Sequence, residues 1–293
     1  MTRRELNNRL GATAFSLALR SMKNKDAAQA ERAGIRIGRI AYRLSKKHRL
    51  RTLSNLRLAF PDENDAWIQK TSVKVFEHFG IVATDFARTE QRTNEEVVAN
   101  MTVENWAIFD EYLALNKGIL AMTAHFGNWE RMAQFCTAKG HPLTVVARDA
   151  NDAGLNQMVM RLREATGVQV VPRGKAAREI LVRLRQNKLI AILPDQNTAE
   201  AYVPFFGKPC GTVLGPAVIH ERTGAPILTA FCFRTGVGKY HTVIGGPLVS
   251  PDGTQIGMMS SVNNALEDII RQHPEQYLWL HDRWKSARRE GLI

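Results

Sequence analysis

The chain of 293 residues has only three cysteines, Cys136, Cys210 and Cys232, and none is spaced as Cys-x-x-Cys. An odd, scattered set of thiols supports neither a disulfide framework nor a thiolate zinc site, and it suits a reducing compartment. Long apolar runs are missing as well. No stretch reaches the ~18 uninterrupted apolar residues of a clear membrane span. The N-terminal uncharged run between Arg9 and Arg20 is too short to span a bilayer and lacks a secretory cleavage pattern. Acidic residues are scarce in one place only. Residues 1–60 carry 15 Lys/Arg against 3 Asp/Glu, whereas residues 61–293 carry 25 of each, so the whole net charge of +12 lies in the first fifth of the chain. A basic arm on a neutral body calls for an anionic surface, either lipid head groups or nucleic acid. The arm has no nucleic-acid recognition motif, and the expectation is no nucleic-acid partner.

Several catalytic signatures are absent. There is no Gly-x-Ser-x-Gly elbow, no Gly-x-Gly-x-x-Gly and no His-Glu-x-x-His, and Gly236-Val-Gly-Lys-Tyr lacks the spacing and hydroxyl of a phosphate loop. Serine hydrolase, nicotinamide, zinc-protease and nucleotidase chemistries therefore lose support.

What is present falls into two rhythms. In segment 32–47 the residues Ala33, Ile37, Ile40, Ala41 and Leu44 follow a helical period, and Arg32, Arg36, Arg39, Arg43 and Lys47 follow it on a face rotated by roughly 110°. Such a helix suits either a lipid interface or docking on the body with a solvated basic flank. Asn55–Pro61 closes this part, and a second helical region runs from about 66 to 89. From Gly118 onward, short β-rich runs (119–123, 143–147, 168–171, 189–193, 227–233 and 240–244) alternate with helical stretches (129–138, 153–166, 175–187, 215–223 and 259–272). This alternation predicts an α/β body with a mixed, mostly parallel sheet flanked by helices. The expected division is a basic helical membrane-associating arm over 1–60 and an α/β domain over 61–293.

The sharpest local feature is Ala124-His125-Phe126-Gly127-Asn128-Trp129-Glu130, which follows an apolar strand and leads into a helix. Ligands of open α/β sheets bind at the carboxyl ends of strands. A turn containing Gly127 lets Glu130 fold back towards His125 and fix its tautomer, leaving the other ring nitrogen to take a proton. A capping histidine beside a first-turn acid is the bland alternative for these residues alone. A base without a nucleophile of its own implies that the nucleophile belongs to the substrate.

At this point the chain resembles the late acyltransferases of lipid A biosynthesis, within the wider lysophospholipid acyltransferase superfamily. The superfamily's His-x4-Asp/Glu stands here as His125 and Glu130, in the narrower form His-Phe-Gly-Asn-Trp-Glu. Four further segments agree in order: Asn55-Leu-Arg-Leu-Ala-Phe-Pro61, Pro194-Asp-Gln196 with Val203-Pro-Phe-Phe-Gly207, Arg222-Thr-Gly-Ala225, and His273-Pro-Glu-Gln-Tyr-Leu-Trp-Leu-His281 with Arg283 and Lys285. The resemblance implies a glycerol-phosphate acyltransferase-like fold and O-acyl transfer from acyl carrier protein to a hydroxyl of a lipid A precursor. His125 would be the general base and Glu130 its partner, with neither cofactor nor metal. Turn amides around Phe126–Asn128 would serve the oxyanion. Arg148, Arg163 and Arg173 are expected to contact substrate phosphates, and Asp195 and Asn128 to support the site. Val203-Pro-Phe-Phe-Gly207 is expected to shape the acyl pocket, although the pair Phe205-Phe206 reads equally as ordinary core. Many family members begin with a hydrophobic anchor, whereas Leu6–Met22 here is short and interrupted by charge. The expected location is therefore peripheral or monotopic, at the cytoplasmic face of the inner membrane. A phospholipid or glycolipid acceptor, with acyl-CoA or acyl carrier protein as donor, is the alternative that keeps the chemistry.

Overall fold

A computed structural model describes residues 21–147, 153–172 and 176–293. Two helices open it, α1 (Ala27–Leu44) and α2 (Lys46–Ala59), followed by the long α3 (Asp65–Phe86). Asp26 caps α1 in a reciprocal box with Gln29, and Asn64 caps α3 through the amide of Trp67. The helical period noted at 32–47 thus belongs to a helix that starts earlier and ends at Leu44. The buried stripe of α1 is Ala30, Gly34 and Gly38, not the larger aliphatics. A Cβ on Gly38 would lie 2.2 Å from the Phe76 carbonyl oxygen, so only glycine lets α1 approach α3 this closely. Ile40 and Leu44 are left exposed. In α2, Leu53, Leu56 and Ala59 enter an aromatic cluster with Phe205, Phe206, Tyr277, Trp279 and Trp284.

Two short helices, α4 (Asn94–Ala99) and α5 (Trp106–Leu113), flank strand β1 (Met101–Glu104). Then the β-rich runs appear at the expected places: β2 (Ile119–Met122), β3 (Leu143–Ala147), β4 (Gln169–Pro172) and β5 (Leu189–Ile192), with α6 (Trp129–Ala138), α7 (Ala153–Glu164) and α8 (Ala176–Arg185) between them. A hairpin of β6 (Ala201–Phe205) and β7 (Lys208–Thr212) forms a separate two-stranded sheet. Helix α9 (Gly215–Thr223), strands β8 (Ile227–Gly236) and β9 (Lys239–Gly245), and helices α10 (Gln255–Gln272) and α11 (Lys285–Arg289) complete the chain.

The seven-stranded sheet has the order β1-β9-β8-β2-β5-β3-β4, parallel except for the β8–β9 pair. Strand β2 is buried on both faces. Leu120 and Met122 pack with Ile180, Leu184, Met259 and Val262, while Ile119 and Ala121 pack with Phe109, Ala133 and Leu143. Continuous apolar runs rather than alternation follow from this double cover.

Candidate active site

Strands β2 and β5 are hydrogen-bonded parallel neighbours, with Met122 opposite Ile192. Their carboxyl-end loops therefore emerge side by side. The first carries His125 and the second Asp195. Asp195 Oδ1 lies 2.9 Å from His125 Nδ1, and the His125 amide donates to Asp195 Oδ2 at 2.9 Å. The Asp195 side chain is almost wholly buried (2% exposed), whereas that of His125 is 22% exposed. Burial disfavours the charged imidazole, but the adjacent Asp195 charge and hydrogen bond outweigh it, and the His125 pKa rises. Burial likewise opposes the Asp195 carboxylate, and His125 with its two hydrogen bonds brings that pKa below the usual carboxylate range. With Nδ1 engaged, Nε2 is the ring nitrogen left for proton transfer.

Glu130 stands elsewhere. It is the second residue of α6, and its carboxylate accepts from Arg163 Nε at 3.1 Å, from a second Arg163 nitrogen, and from Trp129 Nε1 at 3.0 Å. The hydrogen bond to the His125 ring that the sequence pattern suggests for Glu130 is made by Asp195. Glu130 acts on His125 through space, as a secondary charge that raises its pKa. Arg163, on α7, is locked by this carboxylate and lines the same cavity. Arg148 and Arg173 lie outside the described residues.

The turn between β2 and α6 is held by backbone hydrogen bonds to β8 and to the C-terminal segment. Gly127 N–H donates to the Gln276 carbonyl at 2.8 Å, Asn128 N–H to that of Cys232 at 2.9 Å, and Leu278 N–H to that of His125 at 3.0 Å. The amides of Gly127 and Asn128 are thus committed to the protein, which corrects their expected role at an oxyanion. Gly127 has φ +55°, and a Cβ there would lie 1.8 Å from the Cys232 carbonyl oxygen. Asn128 caps α6 by accepting from the Arg131 amide, and its Nδ2 donates to Asp85 at 3.0 Å and to the Tyr240 hydroxyl at 3.2 Å.

Two residues not singled out from the sequence, His78 and Asp85, complete the frame together with the C-terminal signature. His78 on α3 sits 3.1 Å from the Gly127 carbonyl; burial drives its pKa down to about 4, so the ring is neutral and Nε2–H donates. Asp85 is the hub of a buried cluster with Arg131, Arg92 and Tyr240. Burial opposes its charge, but the arginines win and hold its pKa at about 2. On the other side, the His281 ring accepts the Asn197 amide through Nε2 at 2.9 Å, and buried Arg283 donates to the Gln196 carbonyl at 3.3 Å and to Thr212 Oγ1 at 3.0 Å. The C-terminal signature thereby braces the loop that carries Asp195.

The site opens into a cavity of about 490 Å³. His125, Glu130, Arg163, Gln196 and Asn197 give it a polar part. Met132, Ala133, Leu143, Val145, Ile180, Ile192 and Ile219 give it apolar walls. Phe205 and Phe206 do not line it. They are buried in the aromatic cluster under α2, so this pair is core rather than acyl pocket. A second cavity of about 40 Å³, between the sheet and α5–α6, shares Met132, Leu143 and Ala191 with the first.

A doubly covered, mostly parallel sheet with a histidine–carboxylate pair at the mouth of an apolar cavity defines an α/β enzyme of the acyltransferase type. The chain belongs to the bacterial lipid A biosynthesis acyltransferase family, whose sequence model matches residues 14–286. Among characterised relatives, the lipid A biosynthesis lauroyltransferase of Escherichia coli is 25% identical over 268 residues, covering 89% of this chain and 86% of the relative. The palmitoleoyltransferase of the same organism is 23% identical over 261 residues, covering 86% and 84%. A phosphatidylinositol mannoside acyltransferase of Mycobacterium tuberculosis is 29% identical over 185 residues, which span 60% of this chain and only 57% of that relative.

Proposed function

We propose that the protein transfers a fatty acyl group from a thioester to a hydroxyl of a phosphorylated glycolipid, and specifically to a lipid A precursor with acyl carrier protein as donor. The observation that carries the reading is the His125–Asp195 pair at the mouth of the 490 Å³ cavity. The acyl chain lies along the apolar walls with its thioester carbonyl beside His125. His125 Nε2 takes the proton of the acceptor hydroxyl, whose oxygen attacks that carbonyl. The C–O bond forms, the C–S bond breaks, and the departing thiolate takes the proton back from the imidazolium. Asp195 stabilises the imidazolium and fixes its tautomer. The charge developing on the carbonyl oxygen meets the positive end of α6, where the amides of Trp129 and Glu130 lie outside the helix's own ladder. Arg163, fixed by Glu130, faces acceptor phosphate. Chemistry of this kind needs no acyl-enzyme.

The family match and the near-full-length likeness to the Escherichia coli enzymes support the lipid A acceptor. The mannoside acyltransferase likeness favours a second reading with the same chemistry on another glycolipid. Among the described residues no helix is long and apolar enough to cross a membrane, and a peripheral position on the cytoplasmic face of the inner membrane fits the basic N-terminal region.

A mass-spectrometric transfer assay tests the reading. Wild type and His125→Ala each receive acyl-acyl carrier protein or acyl-CoA with a Kdo-bearing tetra-acylated lipid A precursor, a mannosylated phosphatidylinositol or a lysophospholipid. One acyl mass gained on the lipid A precursor and lost in His125→Ala is the expected result. Gain on another acceptor alone overturns the acceptor, and no gain with any pair overturns the reaction.

A further inference from the structure

We propose that the elbow between α1 and α2 is the face by which this protein sits in an anionic lipid surface. The proposal rests on the reading that the acceptor is a membrane lipid. Ile40, Leu44 and Leu50 lie on the two sides of this elbow and are 54%, 79% and 52% exposed. Ile40 and Leu44 are one helical turn apart and share a face. The α1 stripe that docks on α3 is the small-residue one, and Ile40 and Leu44 are left outside the core.

Charge around the elbow is one-sided. From Ala27 to Ala59 nine Lys/Arg stand against a single acid, Glu31. Glu31 pairs with Arg234 at 3.3 Å, and the neighbouring acids Glu77 and Asp65 pair with Arg39 and Arg57 at 2.5 and 2.9 Å. Arg32, Arg36, Arg43, Lys46 and Lys47 are exposed and make no ion pair among the described residues. Exposed aliphatics flanked by unpaired cations are what an anionic bilayer recognises: the first enter the acyl boundary and the second hold the head groups. Ile40, Leu44 and Leu50 line neither of the two cavities described above.

The elbow is also tied to the active site. Arg51 donates to the Leu280 carbonyl at 3.3 Å, and Asn55 donates to that of His281 at 2.8 Å. His281 in turn holds Asn197 at the cavity rim. Leu50 and Asn55 are separated by about 8 Å of helix. Helix α2 and the cavity rim are thus joined through the C-terminal segment.

Vesicle flotation of the full chain tests the proposal without relying on activity. Wild type should float with phosphatidylcholine–phosphatidylglycerol vesicles, and less with phosphatidylcholine alone or at high salt. Ile40→Ser/Leu44→Ser/Leu50→Ser should lower partitioning about a hundred-fold. It should still transfer acyl groups to detergent-dispersed acceptor at the wild-type rate. Arg36→Gln/Arg43→Gln/Lys46→Gln/Lys47→Gln, which touches no apolar contact and so survives if the first variant misfolds, should lose about fivefold per charge on anionic vesicles only. Wild-type flotation by both variants overturns the proposal. So does wild-type flotation combined with lost affinity for purified acyl carrier protein, which would make the elbow a protein-docking face. A chain that floats as expected but transfers nothing separates failure of the proposed reaction from failure of the docking face.

Discussion

Asp195→Asn separates the two carboxylates of the site. The substitution keeps size and removes the charge beside Nδ1. With an oxygen 2.9 Å from the ring nitrogen, the charge centres are about 4 Å apart when His125 is protonated. At an effective dielectric of about 20 that is worth roughly 4 kcal/mol, or about a thousand-fold in rate. The pH profile carries a second signature. Asp195 raises the His125 pKa, and the base works in its neutral form, so wild-type activity climbs as pH rises through that raised value. In Asp195→Asn the acid limb should move to lower pH while the plateau falls about a thousand-fold. Glu130→Gln should move the limb less, because Glu130 makes no hydrogen bond to the ring, and should raise the acceptor KM by freeing Arg163. The assay is kcat/KM for acyl transfer between pH 5 and 9. A plateau within about threefold of wild type in Asp195→Asn, or a limb that does not move, would refute the argument.

Three other outcomes follow from the frame. Asp85→Asn should cost about 3 kcal/mol in denaturant melts, since it leaves buried arginines without their partner. Because the Asp85 pKa is depressed to about 2, its contribution is present above the unfolded value near 4 and lost as pH falls towards 2; the wild-type-minus-variant difference should shrink over that window. Gly127→Ala forces a Cβ against the Cys232 carbonyl at a positive φ, so transfer should drop at least about a hundred-fold, while a fully active variant would contradict the turn geometry. Met132→Ala should join the two cavities and shift donor preference to longer chains, read from product masses with mixed thioesters; an unchanged chain length would remove Met132 from the acyl path.

The central strands β2 and β5 were legible because they are buried and read as uninterrupted apolar runs. Helix α6 was legible for a related reason: the turn before it carries a glycine and a capping asparagine at fixed places. Strand β1 escaped because it is four residues long at the sheet edge, with only Met101 buried. The hairpin β6–β7 escaped because Phe205 and Phe206 are buried by Trp279 and Trp284, some seventy residues later, a pairing that no local pattern records. The contact face of α1 was hidden in glycines, which carry no hydropathy signal.

The site shows the same division between near and far in sequence. Spacing makes Glu130 the natural partner of His125, because only a glycine-containing turn separates them. But Glu130 lies in the first turn of α6, where Trp129 Nε1 and Arg163 take both of its oxygens. Asp195 is seventy residues from His125 and adjacent to it only because β5 returns to pair with β2 after β3 and β4 have been laid down. Strand order, not motif spacing, thus sets the tautomer of His125. The motif carboxylate is left to hold an arginine over the cavity, and a pH profile read on Asp195→Asn and Glu130→Gln together tells the two duties apart.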